Sequence, residues 1–131
     1  MMKKKIFVLV VLCSVVLPVF AANWKQIGEK EYIDASSIKP YNDRNKKEFW
    51  VKSLYDGSLK DIEIKYNIKI AYFINNYIID CNNKTISLKS WAMYDTNNDW
   101  QLGENIPDKK MQKGKIVPET KSELYYKYVC K

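Results

Sequence analysis

Apolar and polar residues alternate along much of the chain, and this pattern predicts β-strands. The clearest stretch covers residues 62–70, where Ile or Tyr occupies every second position and Glu, Lys or Asn lies between. A period of two over this length indicates a strand with one face in water. The alternation continues to Ile74 and restarts with opposite parity at Tyr77, so we expect a bulge or turn at Asn75-Asn76.

Shorter stretches that alternate, or that are rich in aromatic and β-branched residues, predict the remaining strands. They cover residues 24–27, 32–38, 48–55, 85–94 and 100–102. Polar residues, Gly and Pro predict turns or loops at 28–31, 39–47, 56–57, 81–84 and 103–117. The segment 81–84 is short enough for a tight hairpin turn.

The period changes near the C-terminus, where it predicts a helix over residues 121–130. Tyr125 and Val129 are four residues apart and therefore share one helix face. Thr120 and Glu123 have the spacing of a capping box at the helix start. Together these elements predict an α+β fold, an antiparallel β-sheet of about five to six strands with one C-terminal α-helix packed on it.

The first 21 residues have the three parts of a secretory signal peptide. Three lysines give a positive start, residues 6–16 are an almost unbroken apolar run, and small residues follow at Ala21 and Ala22. This order predicts export. We expect cleavage after Ala21, with Ala22 as the near alternative, and one mature domain over residues 22–131.

Two forms of membrane attachment compete with cleavage and release. A retained anchor would have to span the bilayer with residues 6–22, but Ser14 and Pro18 interrupt this segment and its length is at the short limit. A lipid anchor would need small residues before Cys13, and two bulky apolar residues stand there. We therefore expect no stable membrane anchor after cleavage. The protein would be periplasmic, secreted or associated with the cell surface, and not a lipoprotein.

Charge narrows the class of partner. Loss of three lysines with the signal peptide lowers the formal net charge from +7 to +4. Arg44 is the only Arg in the sequence, and guanidinium is the preferred group for bidentate contact with phosphate or bases. The sequence therefore predicts no nucleic-acid partner.

Cys81 and Cys130 remain after cleavage, and they predict a disulfide. Export places them in an oxidising compartment. Pairing would close a loop of about 50 residues and contribute about 4 kcal/mol in the chain-entropy model. Two free buried thiols are the alternative. A metal site would need further ligands, and the sequence has no His.

Catalytic chemistry has few candidate groups here. Without His, Ser-His and Cys-His nucleophiles are excluded. Asp and Glu are scattered among turns and wet strand faces, so we predict a protein that is not an enzyme and has no cofactor. Residues 95–99 begin like a calcium loop, but Trp100 stands where Gly is required and Ile106 where a carboxylate is required. A polar hairpin turn is the better interpretation.

Cations on predicted loops are the candidate partner-binding residues. They are Arg44, Lys46, Lys47, Lys109, Lys110, Lys113 and Lys115, together with the terminal Lys131. One interpretation is solubility, and the other is an electrostatic footprint for an acidic partner. Lys131 is the last residue, so its ammonium and the terminal carboxylate lie together. Lysine-binding kringle modules bind this arrangement, although any chain can end in Lys.

A set of short motifs runs along nearly all of residues 22–131. They are Trp24-x-x-Ile27, Tyr32-Ile33-Asp34, Ser37-Ile38, Phe49-Trp50, Ile79-Asp80-Cys81, Lys84-Thr85, Tyr94-Asp95, Ile116-Val117-Pro118 and Glu123-x-x-Tyr126-x-Tyr128-Val129-Cys130. In this order, and with both cysteines, the set resembles the surface-adhesin protein E family of Gram-negative bacteria.

The resemblance implies a small antiparallel sheet with a C-terminal helix and one disulfide, in agreement with the residue patterns. It also implies an adhesin that binds host matrix or serum proteins, namely vitronectin, laminin and plasminogen. We therefore expect an exported protein that binds its partner through its basic loops. A homodimer is one assembly that this protein could form. The alternative is a soluble periplasmic binding or inhibitor module, which an exposed aromatic patch would favour.

Overall fold

An antiparallel β-sheet with a C-terminal helix on one face forms the fold of residues 22–131, which this computed structural model describes. The predicted signal peptide 1–21 lies outside these residues. The α+β class is confirmed, and the sheet has eight strands, more than the five to six predicted. No helix within residues 22–131 combines the length and hydropathy needed to cross a membrane.

The strands and helices follow one another with short connections. The strands are β1 (Trp24–Gln26), β2 (Glu31–Asp34), β3 (Lys39–Tyr41), β4 (Asp43–Leu54), β5 (Ile70–Asp80), β6 (Thr85–Asp95), β7 (Trp100–Asn105) and β8 (Gly114–Lys115). The helices are α1 (Lys60–Tyr66) and α2 (Lys121–Val129), with single 3-10 turns at Ala35–Ser37 and Asp108–Lys110. The sheet order is β1-β2-β4-β5-β6-β7, while β3 also pairs with β4 and β8 with β6.

The apolar core lies between α2 and one face of the sheet. Phe49 and Val51 of β4, Ile79 of β5, and Tyr125 and Val129 of α2 are all at most 3% exposed. The Phe49 and Tyr125 rings meet edge to face, with centroids 5.9 Å apart. Burying one side chain of this size contributes about 1.5–3 kcal/mol. The core therefore supplies much of the energy that holds α2 against the sheet.

A buried carboxylate, Glu31 of β2, fixes the first half of α2. Its Oε1 accepts hydrogen bonds from the Tyr125 hydroxyl and from Ser53 Oγ, the latter at 2.7 Å. Lys121 Nζ lies 3.4 Å from the other oxygen, Oε2. A buried carboxylate is tolerated only when it is paired in this way. Burial, together with Tyr77 and Glu31 nearby, raises the pKa of the Tyr125 phenol far above its usual value, so the hydroxyl stays a donor.

The predicted disulfide between Cys81 and Cys130 is confirmed and fixes the other end of α2. The two Cα atoms are 5.6 Å apart, within the usual range for a disulfide, and the residues are 49 positions apart in sequence. Close by, Lys47 Nζ donates a hydrogen bond to the Val129 carbonyl, at 3.1 Å. The last turn of the helix is therefore held to β4 and to the turn after β5.

Residues 62–70 do not form the predicted strand, and that prediction is wrong. Most of them belong to α1 or to the connection that follows it. Glu63 stabilises this arrangement, because its Oε1 accepts a hydrogen bond from the Tyr55 hydroxyl (2.9 Å) and its Oε2 from the Ile70 amide (3.0 Å). Asn67 then ends the helix at φ 51°, a left-handed conformation that Asn tolerates.

Two segments predicted as loops contain strands. Residues 39–47 form β3 and the start of β4, joined at Asn42 with φ 62°. Pro40 is accommodated because β3 pairs with one neighbour only. Residues 103–117 include the end of β7 and all of β8. Conversely, the strand predicted over 32–38 ends early, before a 3-10 turn.

The irregularity predicted at Asn75-Asn76 is confirmed, but the extra residue belongs to the partner strand. Pairing between β5 and β6 shifts register between Asn76 and Tyr77. Asn76 pairs with Ser90 and Tyr77 with Leu88, so Lys89 of β6 is the bulged residue. A bulge re-aims the side chain it carries, and Lys89 reaches across the sheet as a result.

The start of α2 is confirmed at Lys121, but the capping box is wrong in its partners. Glu123 Oε1 accepts a hydrogen bond from the Glu119 amide at 3.4 Å, one residue earlier than a capping box requires. The Thr120 hydroxyl donates to the Val117 carbonyl at 2.6 Å. The helix start is therefore held by a local turn that includes Glu119 at φ 64°.

Replacing Tyr125 with Phe should destabilise the fold, because Phe keeps the ring but removes a donor to the buried Glu31 carboxylate. We expect the free energy of unfolding to fall by about 1–3 kcal/mol. Urea unfolding with the disulfide intact measures this loss. Tyr66→Phe, at an exposed tyrosine of α1, is the control and should change stability by less than about 0.5 kcal/mol. Equal losses in both variants would contradict the role assigned to Tyr125.

Candidate functional site

One end of the sheet gathers four segments that are distant in sequence. We call it the basic end, and it comprises residues 42–47, 81–84, 113–116 and 129–131. The Cys81 amide donates to the Asn45 carbonyl (2.9 Å), and the Ile116 amide donates to the Lys84 carbonyl (3.0 Å). The disulfide and the Lys47 contact attach the C-terminus to the same place.

Most of the predicted partner-binding cations lie at this end. They are Arg44, Lys46, Lys47, Lys113, Lys115 and Lys131. Lys84 joins them and was missed from the sequence. It follows two asparagines in a tight turn, and nothing in that pattern shows that the turn lies beside β8 and the C-terminus. Cations that are far apart in sequence therefore lie on one surface of the folded protein.

Some cations of the basic end contact other parts of the fold, and others are exposed to solvent. Lys47 is half-buried and donates to the Val129 carbonyl at the end of α2. Lys131 Nζ lies over the Tyr128 ring, 5.2 Å from its centroid. Arg44, Lys113 and Lys115 are exposed. These last three are therefore the side chains best placed to meet a partner.

Lys109 and Lys110 lie beside the basic end, in the exposed 3-10 turn Asp108–Lys110. Asp108 Oδ1 accepts a hydrogen bond of 3.4 Å from the Tyr41 hydroxyl of β3. This contact holds the turn against the β3–β4 hairpin. The two predicted clusters of cations, more than 60 residues apart in sequence, are thus adjacent.

A cleft of about 180 Å³ separates the hairpin from the segment that carries Lys113. Its lining combines apolar side chains with charged ones. The residues are Tyr41, Asn42, Lys46, Ile78, Asp80, Thr85, Ser87, Asp108, Met111 and Lys113. The cleft brings one cation from each predicted cluster, Lys46 and Lys113, to a single opening.

Asp80 lies next to the basic end, and its carboxylate stabilises the turn that follows β5. Its Oδ1 accepts hydrogen bonds from the Asn82 and Asn83 amides, each 3.0 Å long, and its Oδ2 from Asn83 Nδ2 at 2.9 Å. The Asn83 backbone amide is the largest cause that holds the pKa of Asp80 below its usual range, against the effect of burial. A general acid needs a raised pKa, so the cleft suits binding better than acid–base catalysis.

Glu48 organises the sheet face next to the cleft. Its Oε2 accepts a hydrogen bond from Asn76 Nδ2 at 2.9 Å, and its Oε1 from Lys89 Nζ at 3.1 Å. Burial alone would raise the pKa of Glu48, but these contacts outweigh it and the pKa is lowered. Lys89 Nζ also lies 5.1 Å from the centroid of the Tyr41 ring. The network therefore holds one wall of the cleft.

The turn predicted over residues 95–99 is confirmed. Asp95 Oδ1 accepts hydrogen bonds from the Asn97 amide (2.8 Å) and the Asp99 amide (3.0 Å). Its Oδ2 accepts one from Gln101 at 2.7 Å. The Asp95 carboxylate therefore stabilises the hairpin turn through three hydrogen bonds. No cluster of three or more metal-ligating residues occurs within residues 22–131.

Exposed aromatic side chains form a further feature of the sheet. Trp50 of β4 is 36% exposed and Trp100 of β7 is 57% exposed. Tyr72 and Tyr94 stack with ring centroids 5.1 Å apart, and Lys52 Nζ lies 4.4 Å from the Tyr72 centroid. These rings lie away from the core, so this part of the sheet presents an aromatic surface.

Comparisons with known proteins agree with the fold. The sequence model of the surface-adhesin protein E family matches residues 24–131. No curated protein sequence gives a significant match.

Solved structures of protein E from Haemophilus influenzae share this fold at low sequence identity. One has a TM-score of 0.59 at 16% identity and covers 85% of this chain and 92% of its own. Another, in a second crystal form, has a TM-score of 0.57 at 18% identity and covers 77% and 80%. At such identities the likeness shows the fold alone.

Replacing Asp80 with Asn should flatten the acid side of the stability profile. Because its pKa is lowered in the folded state, the carboxylate contributes stability above its ordinary pKa, and this contribution is lost as pH falls through the folded pKa. Melting temperatures between about pH 7 and pH 2 measure the difference. We expect a loss of about 1 kcal/mol at neutral pH that shrinks in acid. A loss of the same size at every pH would contradict this account.

Proposed function

The chain belongs to the surface-adhesin protein E family, and from this premise we propose that it is an exported protein that binds host matrix or serum proteins through its basic end. Vitronectin, laminin and plasminogen are the partners to test, because they are those of the family's described members. The family is one of adhesins and not of enzymes. The proposal adds to this a surface and a mechanism.

The observation that carries the proposal is the assembly of the basic end from four segments. Asp43 is the only Asp or Glu within these segments, which carry seven Lys and Arg residues, and Asp80 lies next to them. Asp43 Oδ1 accepts from the Asn45 and Lys46 amides, at 2.8 and 3.2 Å, so it shapes the hairpin tip. The remaining positive charge points outwards and favours an acidic segment on the partner.

Electrostatics of this kind acts mainly on the rate of association. A single exposed ion pair contributes about 0–1 kcal/mol. A cluster of like charges on one surface instead raises the local potential and can speed encounter about 10-fold or more. Salt screens this effect over about 8–10 Å. Binding through the basic end should therefore weaken strongly with ionic strength.

A soluble periplasmic binding or inhibitor module is the second candidate function. The exposed Trp50 and Trp100 favour it, because aromatic side chains on a sheet face often mark a protein interface. In this case the contact would rest on apolar burial and would depend little on salt. The two functions are thus separable by the salt dependence of binding and by the location of the protein.

Charge reversal at the basic end should weaken binding to the host proteins. We compare Arg44→Glu, Lys113→Glu and Lys115→Glu combined with a control triple, Lys60→Glu, Lys65→Glu and Lys69→Glu, near α1. All six residues are exposed, and both triples change the net charge equally. Association with immobilised vitronectin, laminin and plasminogen should slow about 10-fold or more in the first triple and much less in the second.

The same titration should be run from about 50 to about 500 mM salt. The salt dependence should flatten in the basic-end triple. Equal losses in both triples would assign the effect to net charge and overturn the role of this end. No binding of the unchanged protein at low salt would overturn adhesion itself.

Export should be visible in the mass and location of the protein. We expect mature protein that starts at Ala22 and weighs two hydrogens less than the dithiol form. Intact mass spectrometry of fractionated cells measures both. Protein at the cell surface or in the medium supports adhesion, whereas protein confined to the periplasm favours the second candidate. A chain that keeps residues 1–21 would contradict cleavage.

A further inference from the structure

The cations of the basic end divide into two groups, one on each side of the sheet. Lys47, Lys84 and Lys131 contact α2 and so lie on the helix side. Lys47 donates to a carbonyl of the last turn of α2, and the ammonium groups of Lys84 and Lys131 lie 5.9 and 5.2 Å from the ring centroids of two α2 tyrosines. The remaining cations are Arg44, Lys46, Lys113 and Lys115. We call these four the cleft-side cations.

Strand pairing places the cleft-side cations together on the other face of the sheet. One row of paired residues crosses β4, β5, β6 and β8 and consists of Lys46, Asp80, Thr85 and Lys115. Paired residues of neighbouring strands share a face. The first three line the cleft of the basic end, so Lys115 lies on the cleft side as well. Lys113 lines the cleft, and Arg44 shares the face of Lys46 because it is two residues away in the same strand.

The cleft-side cations cover a strip and not a point. Neighbouring strands are about 4.7–4.9 Å apart, so the three spacings from β4 to β8 separate the two ends of the row by about 14 Å. Lys46 lies at one end of the row and Lys115 at the other. A ligand that contacts the whole strip therefore needs negative groups at intervals along its length.

The positive charge of this strip is not used within the fold. The ion pairs found in residues 22–131 involve other cations, which are Lys89, Lys121 and Lys127. The neighbouring carboxylates already accept hydrogen bonds from backbone amides or side chains, and they are Asp43, Asp80 and Asp108. The cleft-side cations are therefore available to a ligand.

The side chains of the strip fit a charged polymer better than the surface of a folded protein. Protein interfaces have an apolar core with aromatic anchors, and Lys is depleted from them. Three of the four cleft-side cations are Lys, and the exposed large apolar side chains of residues 22–131 all lie outside the four segments of the basic end. Single-stranded nucleic acid also stacks its bases on aromatic side chains, which these segments do not expose. A sulfated glycan needs only spaced cations and hydrogen-bond donors.

We propose that the cleft-side cations bind a linear sulfated polysaccharide that lies across the sheet from β4 to β8. Its sulfate groups contact Lys46 and Lys115 at the two ends of the row, with Lys113 at the cleft. The hydroxyl groups of Thr85 and Ser87, which line the cleft, donate hydrogen bonds between them. The inference rests on the basic end as a binding surface, as the adhesion proposed above does, but it concerns a different class of ligand.

Isothermal titration with heparin oligosaccharides tests the class of ligand. Chemically desulfated heparin keeps the sugar chain and the carboxylates, and poly-glutamate of the same total charge represents an acidic peptide. Because binding depends on the number of anionic groups that replace counterions, each control should bind at least about 10-fold more weakly than heparin. Failure of heparin to bind at low salt would overturn the proposal. Poly-glutamate that binds as tightly as heparin would assign the strip to acidic peptides instead.

Two matched pairs of substitutions test the place of binding. Lys113→Gln with Lys115→Gln removes two cleft-side cations, and Lys84→Gln with Lys131→Gln removes two cations from the helix side of the same end. All four residues are exposed, and both pairs change the net charge equally. The cleft-side pair should weaken heparin binding about 3- to 30-fold. It should also lower the slope of log affinity against log salt by about two, one for each lost contact.

The helix-side pair should change both quantities much less. Circular dichroism checks that each variant is folded. Equal effects of the two pairs in folded protein would overturn the assignment to the strip, because total charge alone would then explain binding.

Binding to glycan and adhesion to host proteins are tested separately. The unchanged protein is titrated with heparin in solution, and in a second experiment it is passed over immobilised vitronectin, laminin and plasminogen. Heparin binding without binding to the three proteins would support the inference and overturn adhesion to them. Binding to the proteins without binding to heparin would support adhesion and overturn the inference.

Discussion

The Cys81–Cys130 disulfide is the constraint on which both the helix and the basic end depend. It joins the turn after β5 to the last turn of α2 and closes a loop of 49 residues. A link of this length contributes about 4 kcal/mol in the chain-entropy model, a large part of the stability of a domain this small. It also brings Lys131 beside the turn that carries Lys84. A bond that stabilises the fold thus also determines which cations are neighbours.

The two faces of the sheet differ in the side chains that they carry. The face under α2 is apolar around Phe49 and Ile79, and the buried Glu31 carboxylate, which accepts a hydrogen bond from Tyr125, lies near the helix start. The opposite side carries Glu48 with its network, the exposed indoles of Trp50 and Trp100, and the cleft beside the basic end. Stability therefore comes mainly from one face, and the other is available for binding.

The sequence predicts this division only in part, and the reasons are physical. Strong local signals were reliable, including the helix of α2 and the turn at Asp95. Alternation failed at residues 62–70, because Ile, Glu and Lys also suit a short helix and Glu63 finds partners in Tyr55 and Ile70. Polarity failed at residues 39–47, because β3 lies at the edge of the sheet and the tip of the β3–β4 hairpin faces water as loops do. Local patterns do not include such tertiary contacts.

The candidate site illustrates the same limit more sharply. Arg44, Lys113 and Lys115 could be named from the sequence, but their proximity depends on register between β4, β5, β6 and β8. These three side chains are exposed, so substitution there costs the fold little. Haemophilus influenzae protein E has this fold at 16–18% identity, so the fold is compatible with different side chains at most positions. A change at these exposed cations therefore alters the charge of this surface without disturbing the core or the disulfide.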